Sequence, residues 1–165
     1  MTDSSLSPEI RAEIDQWTAK FPSDKKQSAV LAALHIMQNH HEGWLRREHL
    51  DAVAEYLEIP KMAVYEVASF YSMFDLKKTG QYKINVCTNI SCLLRGSEDI
   101  VKQFEKRLGI SVGETTPDGK FTLREVECLA ACVNAPVCQI LCKGKGDYQV
   151  DLTPEKVDAL LEGLK

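Results

Sequence analysis

The chain has no apolar run near the roughly 20 residues needed to cross a bilayer, so no membrane insertion is expected. Its first ten residues, MTDSSLSPEI, offer neither a basic n-region nor an apolar h-region, so no secretory signal is expected. Without export, six cysteines read as reduced thiols or metal ligands rather than as a disulfide framework. Excess positive charge is missing too. Lys and Arg total 20 against 24 Asp and Glu, a net charge of −4, which argues against non-specific nucleic-acid binding. No G-x-G-x-x-G follows a strand pattern, so the chain has no dinucleotide fingerprint of its own. No C-x2-C occurs, which removes the thioredoxin-type dithiol and the usual zinc knuckle. What remains is ordinary globular composition, 44% hydrophobic and 27% charged, enough to bury a core.

The first half reads as helices. Ser7-Pro8-Glu9 is a helix start, with an N-cap hydroxyl, proline at the first helical position and an acid in the first turn. Ile10, Ile14, Trp17 and Phe21 follow at helical spacing until Pro22. A second helix is expected from Ser23-Asp24 to before Gly43, with Val30, Leu34 and Met37 on one face. A third carries Leu50, Val53, Ala54 and Leu57 and closes at Ile59-Pro60. A fourth places Val64, Val67, Ala68 and Tyr71 on one stripe. The sum is a small helical bundle over residues 1–78.

Residues 50–71 also have the outline of a helix-turn-helix. Between Lys61 and Lys77, however, the segment holds no Lys or Arg and does hold Glu66 and Asp75, a poor match to phosphate. A helical packing or docking module is the better reading. All four histidines fall in this half. His40 and His41 are adjacent and point about 100° apart on a helix, a poor chelate, so a solvated helix end is expected. Trp44 is read as an anchor for the turn after Gly43.

After Lys78-Thr79-Gly80-Gln81 the period changes from helical to alternating, and residues 79–165 read as an α/β unit, making the chain α+β overall. Tyr82, Ile84 and Val86 form a strand that delivers Cys87. The CTNISC loop leads to a helix start at Gly96-Ser97-Glu98-Asp99, with Ile100, Val101, Phe104 and Leu108 as its apolar face and Gly109 as its end. Thr116-Pro117-Asp118-Gly119 is a turn, and Phe121-Thr122-Leu123 opens a strand that runs into ECLAAC. Val137–Leu141 and Tyr148–Val150 are further strands, with Lys143-Gly144-Lys145-Gly146 turning between them. Thr153-Pro154-Glu155 starts a last helix striped by Val157, Leu160, Leu161 and Leu164. The order is β-α-β-β-β-α.

Chemistry concentrates in two cysteine pairs, Cys87 and Cys92 at C-x4-C, and Cys128 and Cys132 at C-x3-C. Two thiolates on one loop can grip one iron, and a second pair can grip another, which is the requirement of a [2Fe–2S] electron carrier. The plant-type ferredoxin spacing would put its third cysteine where Arg95 stands, so that pattern is excluded. Cys138 and Cys142 form a further C-x3-C, but they alternate with Ile140 on a strand. Residues i and i+4 lie roughly 13 Å apart along a strand, so these two are read as packing residues.

The segments ECLAACVNAPV, GETTPDGKFTL, VYEVASFYSMF and HEGWL resemble motifs of the thioredoxin-like [2Fe–2S] subunit of respiratory NADH:quinone oxidoreductase, that is, the E subunit of bacterial complex I and its mitochondrial counterpart. The resemblance runs from about residue 8 to the C-terminus. It implies a helical N-terminal domain followed by a thioredoxin-like [2Fe–2S] domain, with Cys87, Cys92, Cys128 and Cys132 as ligands of the cluster. It also implies a partner subunit that binds FMN and NADH and exchanges electrons with the cluster, and a larger iron–sulfur subunit beyond it. On this resemblance the chain is part of an oxidoreductase but holds no catalytic site of its own. Its place would be the peripheral arm of a membrane-bound complex, on the cytoplasmic side, or the matrix side in a mitochondrion. Thr88, Asn89 and Ser91, with Ala130 and Ala131, are the candidates to line the cluster.

The family usually has glycine where this chain has Ala130. If that position takes positive φ, alanine costs about 1 kcal/mol there. The family gives no role for Cys138 or Cys142. Two alternatives stay open: the equivalent subunit of an NAD-linked hydrogenase or formate dehydrogenase, and an iron–sulfur-sensing DNA-binding regulator.

Overall fold

The computed structural model describes residues 6–142 and 144–164. The chain divides into two compact units, Met1–Lys78 and Thr79–Lys165.

In the first unit, α1 (Pro8–Thr18) starts where Ser7 Oγ accepts from Ile10 N at 3.3 Å. Ile10 and Ile14 are buried, whereas Trp17 is 43% exposed and takes Lys20 Nζ 3.5 Å above its ring. Trp17 therefore leaves the expected stripe, whereas Phe21, just past the end of α1, is partly buried against the core. A 3₁₀ turn over Lys26–Ala29 precedes α2 (Val30–His40), so the second helix begins later than Ser23-Asp24. Next come α3 (Arg47–Leu57) and α4 (Lys61–Phe70). They are joined through Glu58 at φ 56° and a bond from Ile59 N to Ala54 O. Val30, Leu34, Met37, Leu50, Val53, Leu57, Val64 and Ala68 share one core.

Two polar features fasten this unit. Gln38 is buried; its Nε2 donates to Met73 O (3.1 Å) and its Oε1 accepts from Asp75 N (2.7 Å). One side chain thus holds the segment after α4 on α2. His40 and His41 diverge, as helical geometry requires: His40 Nε2 meets Glu13 Oε1 at 2.9 Å, and His41 stacks on His49 with centroids 4.1 Å apart. Trp44 is half-buried under the Arg46 guanidinium, 5.1 Å from its ring.

The second unit contains β1 (Tyr82–Cys87), α5 (Ile90–Leu94), α6 (Ser97–Leu108) and β2 (Phe121–Val126). A 3₁₀ turn over Cys132–Asn134 follows, then β3 (Cys138–Cys142), β4 (Lys145–Gln149) and α7 (Pro154–Gly163). The sheet order is β2-β1-β3-β4, with β1 parallel to β2 and the other pairs antiparallel. Lys83 and Asn85 alternate with the apolar residues of β1, yet β1 is an interior strand and both faces are buried. Lys83 and Asn85 are 8% and 7% exposed, and Asn85 Nδ2 reaches Gln139 Oε1 across the ladder at 3.4 Å. On the other face Ile84, Val86, Leu123, Cys138 and Ile140 pack with Ile100 and Phe104 of α6 and Val157 and Leu161 of α7.

Gly80 enters this unit against the start of β2. Its N–H donates to Thr122 Oγ1 at 2.6 Å, and a Cβ there would stand 2.8 Å from the Phe121 carbonyl carbon. α6 is entered through Gly96 at φ 90° without a side-chain cap, and Ser97 Oγ is buried without a hydrogen-bond partner. β4 begins at Lys145, so Lys145 and Gly146 of the expected turn belong to the strand; Lys143 of that turn, like Met1–Ser5 and Lys165, lies outside the described residues. Among the described residues no helix is long and apolar enough to cross a membrane.

Candidate metal centre

Parallel pairing brings the carboxyl ends of β1 and β2 to one edge of the sheet, with Cys87 in register with Val126. The first cysteine pair leaves from one of these ends and the second from the other. Cys87 is fixed by its own N–H to Val137 O at 3.0 Å, and its Sγ lies 3.7 Å from Glu127 O, the residue before Cys128. The two cysteine segments therefore touch at the root of the site.

Cys92 sits on a helix where the sequence predicts a loop. Asn89 Oδ1 accepts from Ile90 N at 2.7 Å, capping the five-residue α5, and Cys92 faces inward from its middle. Asn89 therefore spends its side chain on its own helix. Cys87, Cys92, Ala135 and Val137 form a small apolar core of their own, with Val126, Leu129 and Ala131 packed on it. Burial pushes the Cys92 thiol up to about 11. A hydrogen bond with Cys87 and the nearby Cys132 push the same way, while the Val137 backbone, bonded to its sulfur, favours the thiolate.

Cys128 and Cys132 are exposed. Cys128 is separated from the end of β2 by Glu127 alone; Ala130, at φ 57°, donates its N–H to Cys128 Sγ at 3.3 Å. Cys132 opens the 3₁₀ turn, which leads through Ala135-Pro136, a cis peptide, into β3. Asp151 ties this segment to the first: Oδ2 accepts from Asn134 Nδ2 at 3.2 Å, and Oδ1 lies 3.9 Å from Arg95 Nη2, just past α5. Asp151 N also donates to Asn134 O at 2.8 Å. The sequence gives no hint of Asp151, whose role depends on where the chain returns after β4. Asn89, a residue type favoured at N-caps, is the one signal that could have marked α5, which the sequence reading misses.

Among the described residues no three His, Cys, Asp or Glu side chains gather as a site for a single ion. The arrangement is one buried pair and one exposed pair, rooted at adjacent strand ends. Soft sulfur donors in twos, with backbone amides aimed at two of the four sulfurs, fit a binuclear iron–sulfur cluster. Cys138 faces the main core with no solvent exposure, and burial alone pushes its thiol to about 12. It lies apart from the small core around Cys87 and Cys92.

The rim of this edge is apolar. Ile90, Leu93 and Leu94 of α5 are 69%, 45% and 82% exposed, and Val133 is 88% exposed.

Residues 14–165 match the family model described as thioredoxin-like [2Fe-2S] ferredoxin. The chain is 52% identical over 143 residues to the E subunit of NADH-quinone oxidoreductase from Rickettsia felis, covering 87% of this chain and 83% of that protein. The Rickettsia bellii protein of the same name is 49% identical over 146 residues, covering 88% and 85%. In Dictyostelium discoideum, NADH dehydrogenase [ubiquinone] flavoprotein 2, mitochondrial, is 43% identical over 164 residues, covering 99% of this chain and 65% of that one. Among solved structures, an NAD+-reducing [NiFe]-hydrogenase in the air-oxidized state matches with a TM-score of 0.70 at 21% identity. That match covers 85% of this chain but 24% of the hydrogenase chain, and at such identity it speaks to the fold alone.

Proposed function

The chain belongs to the thioredoxin-like [2Fe–2S] ferredoxin family, and on that premise we propose that Cys87 and Cys92 hold one iron of its cluster and Cys128 and Cys132 the other. It is an electron-transfer subunit of an NADH:quinone oxidoreductase, as are the named relatives at 49–52% identity. The observation that carries the ligand assignment is the parallel β1–β2 pair, which sets both cysteine segments on one sheet edge.

When bound, the [2Fe–2S] cluster supplies one-electron chemistry. The chain's own residues do the rest. Cys87 and Cys92 bind from a water-poor core, and the Val137 and Ala130 backbones direct hydrogen bonds at sulfur. The exposed Cys128 and Cys132 turn the other side of the site outward. The rim of Ile90, Leu93, Leu94 and Val133 is the surface on which a partner subunit carrying FMN and NADH is seated, excluding water between flavin and cluster. The helical unit, residues 1–78, docks on that same subunit, and the pair joins a larger iron–sulfur subunit in the peripheral arm.

The test is electron paramagnetic resonance on anaerobically purified, dithionite-reduced protein, with each of the six cysteines changed to alanine. One spin-half signal, lost with Cys87, Cys92, Cys128 or Cys132 and kept with Cys138 or Cys142, supports the assignment. A silent sample with stoichiometric zinc overturns it.

A further inference from the structure

Cys128 is exposed, yet its sulfur is not bare: Ala130 N–H is aimed at it from 3.3 Å. The donor is delivered by backbone that L residues rarely adopt, since Ala130 sits at φ 57° in a bend between the two cysteines of this loop. Strain of this kind persists where the surrounding structure demands it, and such positions cluster at ligand clamps. The alanine methyl offers no chemistry, so whatever this residue does, it does through its backbone.

An N–H directed at a cysteine sulfur favours the state with more negative charge on that sulfur. In an iron–sulfur site that state is the reduced one, and hydrogen bonds to sulfur are among the levers on reduction potential. We propose that the left-handed turn at Ala130 is held in order to keep its amide on Cys128, and that this amide raises the reduction potential of the cluster. Ala130 is thus a positioning residue that acts through Cys128. The inference rests on the reading of Cys128 as an iron ligand.

The test alters φ at this position without adding charge. Ala130→Gly reaches positive φ freely and keeps the N–H; Ala130→Val, β-branched, is driven out of that region. Redox titrations of the whole protein, followed by electron paramagnetic resonance, are expected to give Ala130→Gly the wild-type midpoint and Ala130→Val a more negative one. Pulsed resonance on protein grown with ¹⁵N-alanine is expected to show a ¹⁵N coupling in wild type whose largest component disappears in Ala130→Gly. An Ala130→Val midpoint equal to wild type overturns the proposal, as does an undiminished ¹⁵N coupling in Ala130→Gly. Should Ala130→Val assemble no cluster, the isotope comparison decides by itself. A wild-type sample with no spin signal, or a signal that survives Cys128→Ala, fails the underlying ligand reading instead, and so is told apart.

Discussion

Burial separates the thiols of this chain more sharply than spacing does. Cys138 has no solvent exposure and its thiol is pushed to about 12, so it stays protonated in the native state where an unfolded chain has lost that proton. A raised thiol value means that the stabilising contribution is complete below the ordinary value of 9.0 and is lost as pH rises towards 12. Between pH 9.5 and 11 the loss from this residue approaches about 1.4 kcal/mol per pH unit. Urea unfolding of Cys138→Ala is therefore expected to start weaker at pH 7 but to decline less steeply with alkali than wild type; equal slopes would remove Cys138 as the cause. At Ala130 the expectation concerns strain. Glycine there should raise the thermal midpoint by the equivalent of about 0.5–1 kcal/mol, because φ 57° costs it nothing. The motif resemblance already marked this position as one where glycine is usual; only the structure shows the conformation that glycine would serve.

Whole elements were legible where a periodic stripe was long and meets a core: α2 and α3 bury the residues their spacing selects, and α6 and α7 bury Ile100, Val101, Phe104, Val157 and Leu161, with Leu108, Leu160 and Leu164 partly buried against them. Shorter or two-sided elements were not. Five-residue α5 has no room for a period, and its only sign is the Asn89 cap. The double burial of β1 depends on its place between β2 and β3, which no local pattern encodes. The joints between elements carry predictions of their own. Gly80→Ala forces a methyl to 2.8 Å from backbone, and a loss of about 1–3 kcal/mol is expected in denaturant unfolding, with wild-type stability the outcome that would refute the close approach. Gln38→Leu withdraws an acceptor from the buried backbone N–H of Asp75 and a donor from the part-buried carbonyl of Met73, for an expected loss of about 1–3 kcal/mol, most of it at Asp75. A thermal melt that matches wild type would show that the clamp is dispensable.

Across the whole molecule, the two units divide the work proposed for the chain. A protein of residues 79–165 is expected to assemble the cluster and, left with the rim alone, to copurify less with the flavin subunit; undiminished copurification would rule out docking through the helices. Both cysteine pairs were evident from sequence and the resemblance assigned them to one site, but the parallel β1–β2 pairing that carries the two segments to one sheet edge was not, because those strands lie far apart in the chain. That pairing has a consequence in time. Two parallel strands cannot be joined by a tight turn, so β2 finds β1 only after the intervening α5 and α6 segment has folded back across the sheet. During synthesis Cys87 and Cys92 emerge first, and on the proposed assignment they are half a binding site until the chain is extended to Cys132. Neither pair alone can hold two irons. On the proposed ligand assignment, metallation is expected to follow the pairing of β2 with β1.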